Sequence, residues 1–183
     1  MPTIITHAAV GVALAQVGPA ALSRKRLSFS LAVFSVIPDL DVVAFHFQIP
    51  YSHWLGHRGF SHSLLFALVV AAVVARLEFR KVPLDSRDRW RLFVLCALAI
   101  GSHGILDAFT DGGLGIGFLL PFASGRYFFP FHPLVVSPIG LGNFLGGPAL
   151  AVLSSEALYV WLPIAALSIV ARRRRRVSRG EGP

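Results

Sequence analysis

The chain has 183 residues, of which 55% are hydrophobic and only 14% charged, with a mean hydropathy of +0.67; this is too apolar for an ordinary soluble domain of that length. The net charge of +8 would suggest nucleic acid on a soluble surface. Here the basic residues lie in runs beside long apolar segments, the pattern of cytoplasmic membrane flanks, and no nucleic-acid partner is expected.

Apolar runs predict spans at 4–22, 27–47, 60–77, 92–109 and 149–171, each near the ~20 residues needed to cross the hydrocarbon core. The expected fold is an all-α polytopic membrane bundle of about five transmembrane helices. Residues 1–171 form a single membrane domain in this reading, and 172–183 a basic cytoplasmic tail. The first run carries an Ala-x-Ala at Ala13–Ala15 that imitates a cleavage site. It lacks the basic n-region of a signal peptide and is read as retained. Cys96, the single cysteine, allows no internal disulfide and reads as a small core residue.

Orientation follows from charge. With 24–26 cytoplasmic, alternation puts the N-terminus and the loops 48–59 and 110–148 outside, and 78–91 and the C-terminal tail inside. All of the 17 Lys and Arg then fall on the inner side except Arg58 and Arg126, in agreement with the positive-inside rule. An integral inner (cell) membrane location follows, with membrane lipids as partners.

Helix rise then gives depth. From Leu27, Asp39 and Asp41 lie ~18–21 Å along the second span, and from Leu92, His103 and Asp107 lie ~16–22 Å along the fourth. His7 is near the outer start of the first, and His57 and His62 flank the outer start of the third. These ionisable groups therefore converge on the outer half of the bilayer, where such groups mark function by default. The segment 111–148 holds nine glycines and five prolines and is expected to form an external or re-entrant cap, since irregular backbone cannot face lipid.

His103 and Asp107, at i and i+4, share a helix face, and imidazole with carboxylate suits zinc or manganese. Taken alone, this spacing favours an intrahelical hydrogen bond. Asp39 and Asp41 follow Pro38, whose kink could turn both inward; one could ligate while the other orients a ligand histidine. In the run from His57 to Ser63, Gly59 is expected to let the backbone turn, Ser61 to cap the following helix, and both histidines to reach one centre. Arg58 is placed to meet a substrate anion or transition-state charge, or to snorkel to lipid phosphates. His46, His53 and His132 read as interfacial, and Asp111 is a reserve ligand or a loop cap.

Together His7, Pro38-Asp39-Leu40-Asp41, the run His57–Ser63, and His103 with Asp107 resemble the YdjM-type family of membrane-bound metal-dependent hydrolases. Leu119–Pro130 also looks like a family feature. The order His, Asp, His, His-x-x-x-Asp is similar to that of zinc-dependent phospholipase C, although that enzyme's further downstream ligands have no match here. The resemblance implies hydrolysis of a phosphoester or lipid-like substrate. The resulting expectation is one or two divalent ions, zinc or manganese, held by His7, Asp39, Asp41, His57, His62, His103 and Asp107. Asp41 could serve instead as general base, and Arg58 and Arg126 would hold a phosphate. The alternative is a non-catalytic membrane protein, a cation carrier or a scaffold, with a buried His/Asp network.

Overall fold

A computed structural model describes residues 1–178, and residues 179–183 of the predicted basic tail lie outside the described residues. Among the described residues seven α-helices follow in order: α1 Ile4–Ala15, α2 Arg24–Val36, α3 Leu64–Glu78, α4 Ser86–Ala108, α5 Leu141–Leu145, α6 Ala149–Glu156 and α7 Leu162–Ser178. A 3₁₀ segment, Ile37–Phe47, continues α2, a 3₁₀ turn, Phe60–His62, precedes α3, and a π segment, Ala157–Trp161, joins α6 to α7. Extended backbone among the described residues is confined to two isolated bridges, Thr110 with Leu134 and Ile116 with Tyr127.

All five predicted spans are helical, but their lengths need correcting. Among the described residues three stretches are long and apolar enough to cross a membrane: Arg24–Phe47, Ser86–Ala108 and Ala149–Ala171. The first predicted span stops at Ala15, well short of residue 22, and at ~18 Å does not reach across a ~30 Å core. Gly18 and Pro19 follow it, and Arg24 closes the turn by donating to the carbonyls of Ala15, Gly18 and Pro19. The third begins as a helix only at Leu64 and has 15 residues, or ~22 Å.

The core explains the packing. α4 is the central helix, with Leu92, Leu95, Cys96, Ala99 and Ile100 buried against Leu27 and Leu31 of α2 and Ala67 and Ala71 of α3. α1 lies so close to α2 that a Cβ on Gly11 would sit 2.7 Å from the backbone nitrogen of Ala32. Small residues permit such backbone contact, which replaces the hydrophobic drive that lipid removes. Cys96 is buried in this core, as its apolar setting predicts.

Alternating helix direction brings four ends together: the starts of α1 and α3 and the ends of the 3₁₀ extension of α2 and of α4. The segment 111–148 folds across these ends. Gly117 donates to the Arg58 carbonyl at 3.0 Å, Leu64 donates to that of Phe118 at 3.0 Å, and Phe129 donates to that of Ala108 at 3.0 Å. Ile116 and Leu134 of this segment are buried. The basic runs at 24–26 and 76–91 lie at the opposite ends of the same helices.

Candidate metal centre

Pro38 opens the 3₁₀ extension of α2, and this change of helix type decides where the two aspartates point. Residues two apart are ~160° apart around an α-helix but ~120° apart in the tighter 3₁₀ form. Asp39 and Asp41 can therefore both face the bundle, as the proline led one to expect, though by a change of helical form that lasts 11 residues. Such long runs are uncommon and often mark a functional hinge or a sequence under strain.

Asp39 has Oδ1 3.1 Å from His103 Nε2 and 4.0 Å from His62 Nε2. From α4, Asp107 places Oδ1 3.6 Å from His7 Nε2 and Oδ2 3.6 Å from His62 Nε2. The imidazoles of His7 and His103 stack with centroids 3.6 Å apart and planes at 10°. His7, His103 and Asp107 form one group and Asp39, His57 and His62 another, with ligand atoms in each within 4.8 Å of one another, and each group could hold a metal ion.

Among the described residues, every buried side-chain nitrogen or oxygen without a hydrogen-bond partner belongs to this cluster: both ring nitrogens of His7, both oxygens of Asp39 and of Asp107, Nε2 of His62 and His103, and Nε of Arg58. Unpartnered buried polar atoms cost ~1–3 kcal/mol each, and the imidazole nitrogens and carboxylate oxygens among them fit a cation as the missing partner, whereas the Arg58 Nε–H, a cationic donor, faces Asp107 Oδ2. The donor set of imidazole nitrogens and carboxylate oxygens also suits a divalent transition metal.

The opposite faces of three imidazoles are fixed. His103 Nδ1 lies 2.8 Å from the Ser35 carbonyl, His57 Nδ1 2.6 Å from Asp41 Oδ1, and His62 Nδ1 3.1 Å from Asp41 Oδ2. Asp41 Oδ2 also accepts from Ser61 Oγ at 2.6 Å and from the Arg58 backbone N–H at 3.2 Å. This is the outer arrangement that metal-bound histidines use. Ser61 does not cap α3: Ser63 does, accepting from the Phe66 N–H at 3.1 Å.

The turn through this run is made at Arg58, whose φ of 61° is left-handed, and not at Gly59, whose φ is −87°. Gly59 is needed for close approach, since a Cβ there would lie 2.7 Å from the Gly56 carbonyl oxygen. The strained Arg58 backbone is held by its own side chain. Nη1 donates to the carbonyls of Gly112 and Leu114 at 2.8 and 3.0 Å, Nη2 donates to Thr110 Oγ1 at 3.0 Å, and Nε lies 3.2 Å from Asp107 Oδ2. Its guanidinium is only 1% exposed, so it does not snorkel to the surface.

Arg126 reaches six backbone carbonyls, those of Tyr51, Ser52, His53, His57, Arg58 and Gly115, at 3.0 to 3.4 Å. It ties the cap to the loop that carries His57. Burial pushes the Arg126 guanidinium below its ordinary pKa and raises that of the Tyr51 phenol. His46, His53 and His132 are exposed, in line with their interfacial reading. Asp111 accepts from the Val136 N–H at 2.8 Å and so closes a loop.

Sequence reasoning missed Glu156. It is fully buried on α6 and accepts from the Thr3 N–H and hydroxyl and from the Thr6 hydroxyl at 2.5, 2.6 and 2.6 Å. The signal was present, since a lone carboxylate inside an apolar span is costly enough to ask for a reason.

These features define a helical membrane bundle enclosing histidine–carboxylate clusters with the donors to hold a metal ion. The chain belongs to the YdjM inner membrane protein family, which it matches over residues 1–177. It is 36% identical over 166 residues to Inner membrane protein YbcI of Escherichia coli (strain K12), the alignment covering 89% of this chain and 92% of that one. No solved structure matches the chain.

Proposed function

We propose that the protein is an integral inner-membrane hydrolase, dependent on one or two divalent ions, zinc in the first instance, and acting on a phosphoester or lipid-like substrate. The observation that carries this reading is the gathering of buried imidazole nitrogens and carboxylate oxygens of His7, Asp39, His62, His103 and Asp107 without hydrogen-bond partners, in two adjoining groups that could each hold an ion. A bound cation would lower the pKa of a water toward ~7 and supply a nucleophile at neutral pH.

The chain's own residues divide the remaining work. His7, His103 and Asp107 would hold one ion, and Asp39, His57 and His62 a second, with Asp39 and Asp107 each lying near a histidine of the other group. Of the roles open to Asp41, orientation of His57 and His62 is favoured over ligation or general base, because both of its oxygens already accept hydrogen bonds. Arg58 contributes fixed positive charge beside Asp107, where it counters anionic charge in the site. Arg126, occupied by carbonyls, supports the loop. A cavity of about 430 Å³ reaches the site from the capping segment. Its lining includes Tyr51, His57 and Arg58 as well as Val136, Pro138 and Ile139 of the capping segment. Such walls suit a substrate with an anionic head and an apolar body.

The test is metal analysis of detergent-purified protein with His62→Ala and Asp107→Ala, followed by chelator-controlled hydrolysis of phospholipids and generic phosphodiesters. The reading expects near-stoichiometric metal in wild type, at least tenfold weaker retention in both variants, and activity abolished by chelator. Wild-type protein that holds no metal overturns it. Bound metal without hydrolysis favours a non-catalytic metal protein.

A further inference from the structure

His7 differs from the other three histidines of the cluster. His57, His62 and His103 each have one ring nitrogen held from behind, whereas neither nitrogen of His7 has a hydrogen-bond partner. Its ring stacks on His103 and has Asp107 Oδ1 3.6 Å from Nε2. The position of His7 is therefore set by its backbone, one turn into α1, and two contacts fix that turn. One is Ser35 Oγ, which donates to the His7 carbonyl at 2.8 Å. The other is Glu156.

Thr3 stands at the N-cap of α1 yet does not cap it through its side chain; its hydroxyl and N–H go to Glu156 instead, together with the Thr6 hydroxyl. The carboxylate thus lies at the positive end of the α1 dipole, where negative charge is favoured. Trp161 completes the clamp, its indole N–H donating to Thr6 Oγ1 at 2.6 Å. Glu156 and Trp161 bracket the π segment. In an α-helix, residues five apart would point ~140° apart, but the i to i+5 pattern of a π turn brings them onto one face. The π turn is what lets both side chains reach Thr6, the residue before His7.

We infer that Glu156 is a positioning residue for the metal centre, holding the first turn of α1 so that the otherwise unsupported His7 meets Asp107 and His103. This rests on the metal-site reading above. Removing a group that orients a ligand typically lowers metal affinity 10–100-fold.

The experiment measures zinc content and Co²⁺ affinity, with the visible Co²⁺ spectrum, of full-length detergent-purified protein. Glu156→Ala and Trp161→Phe are compared with Ser155→Ala, which removes the hydroxyl that accepts from the Val135 N–H on the same helix but leaves the clamp intact. Glu156→Ala is expected to lower Co²⁺ affinity at least tenfold and alter the spectrum, with Glu156→Gln intermediate because it keeps one carbonyl oxygen. Trp161→Phe, which leaves no charge unpaired, should shift the spectrum even if Glu156→Ala folds poorly, and Ser155→Ala should match wild type. Wild-type affinity and spectrum in folded Glu156→Gln and Trp161→Phe would overturn the inference while leaving the metal site standing. Absence of metal from wild type would overturn both.

Discussion

Two carboxylates one residue apart, Asp39 and Asp41, take opposite parts. Asp39 turns bare oxygens toward His62 and His103, while Asp41 sits behind His57 and His62 with its oxygens occupied. Asp41→Asn should keep the fold but release the two imidazoles, and zinc affinity measured by competition with a chromogenic chelator should fall 10–100-fold. The identity of the clustered residues was legible in the sequence because ionisable groups in an apolar span are rare enough to be informative. Their division of labour was not, since it depends on which nitrogen faces inward and on hydrogen bonds between residues far apart in sequence. Arg58 shows the same limit: its charge was evident, but its left-handed backbone and its carbonyl partners come from a segment over 50 residues away.

At the level of elements, apolar runs located every helix that builds the bundle, but helical form escaped them. Hydropathy is indifferent to whether a turn is α, 3₁₀ or π, and so the change at Ile37 and the widening at Ala157 were invisible, although each aims carboxylates. Close packing was partly legible from small residues. Gly11→Ala would force a Cβ against the α2 backbone at Leu31 and Ala32; a cost of ~1–3 kcal/mol should appear as a lower midpoint of thermal unfolding in detergent. The capping segment depends on Arg126 in place of regular secondary structure. Arg126→Ala should leave the helices intact by circular dichroism while exposing the loops 48–59 and 111–135 to limited proteolysis.

For the whole molecule, the polar cluster occupies one end of the helices and the basic runs the other. A basic face toward the cytoplasm, as charge bias predicts, would put the cluster toward the external leaflet. A reporter fused at the C-terminus should then be active only in the cytoplasmic assay, and external activity would reverse the placement. α1 and α3 are too short to cross, so the space above their site-bearing ends falls to the irregular backbone of 111–148. Irregular backbone at membrane depth is tolerated only where protein or water covers it, and this segment is tied to the end of α4 by the N–H groups of Phe129 and Leu134, which donate to the carbonyls of Ala108 and Phe109.

The bond between Thr3 and Glu156 closes a separation of 153 residues, and this sets an order in time. At typical rates of synthesis, on the order of 10 s or more pass between the emergence of the first threonine and that of its partner. Throughout that interval α1 can lie against α2, with Ser35 Oγ already on the His7 carbonyl, yet the Thr3 and Thr6 hydroxyls lack the carboxylate that clamps them. The helix that completes α1 thus enters the membrane well after it, and a ribosome stalled before residue 156 would leave a bundle with all the clustered histidines and aspartates present and His7 held by one contact instead of two.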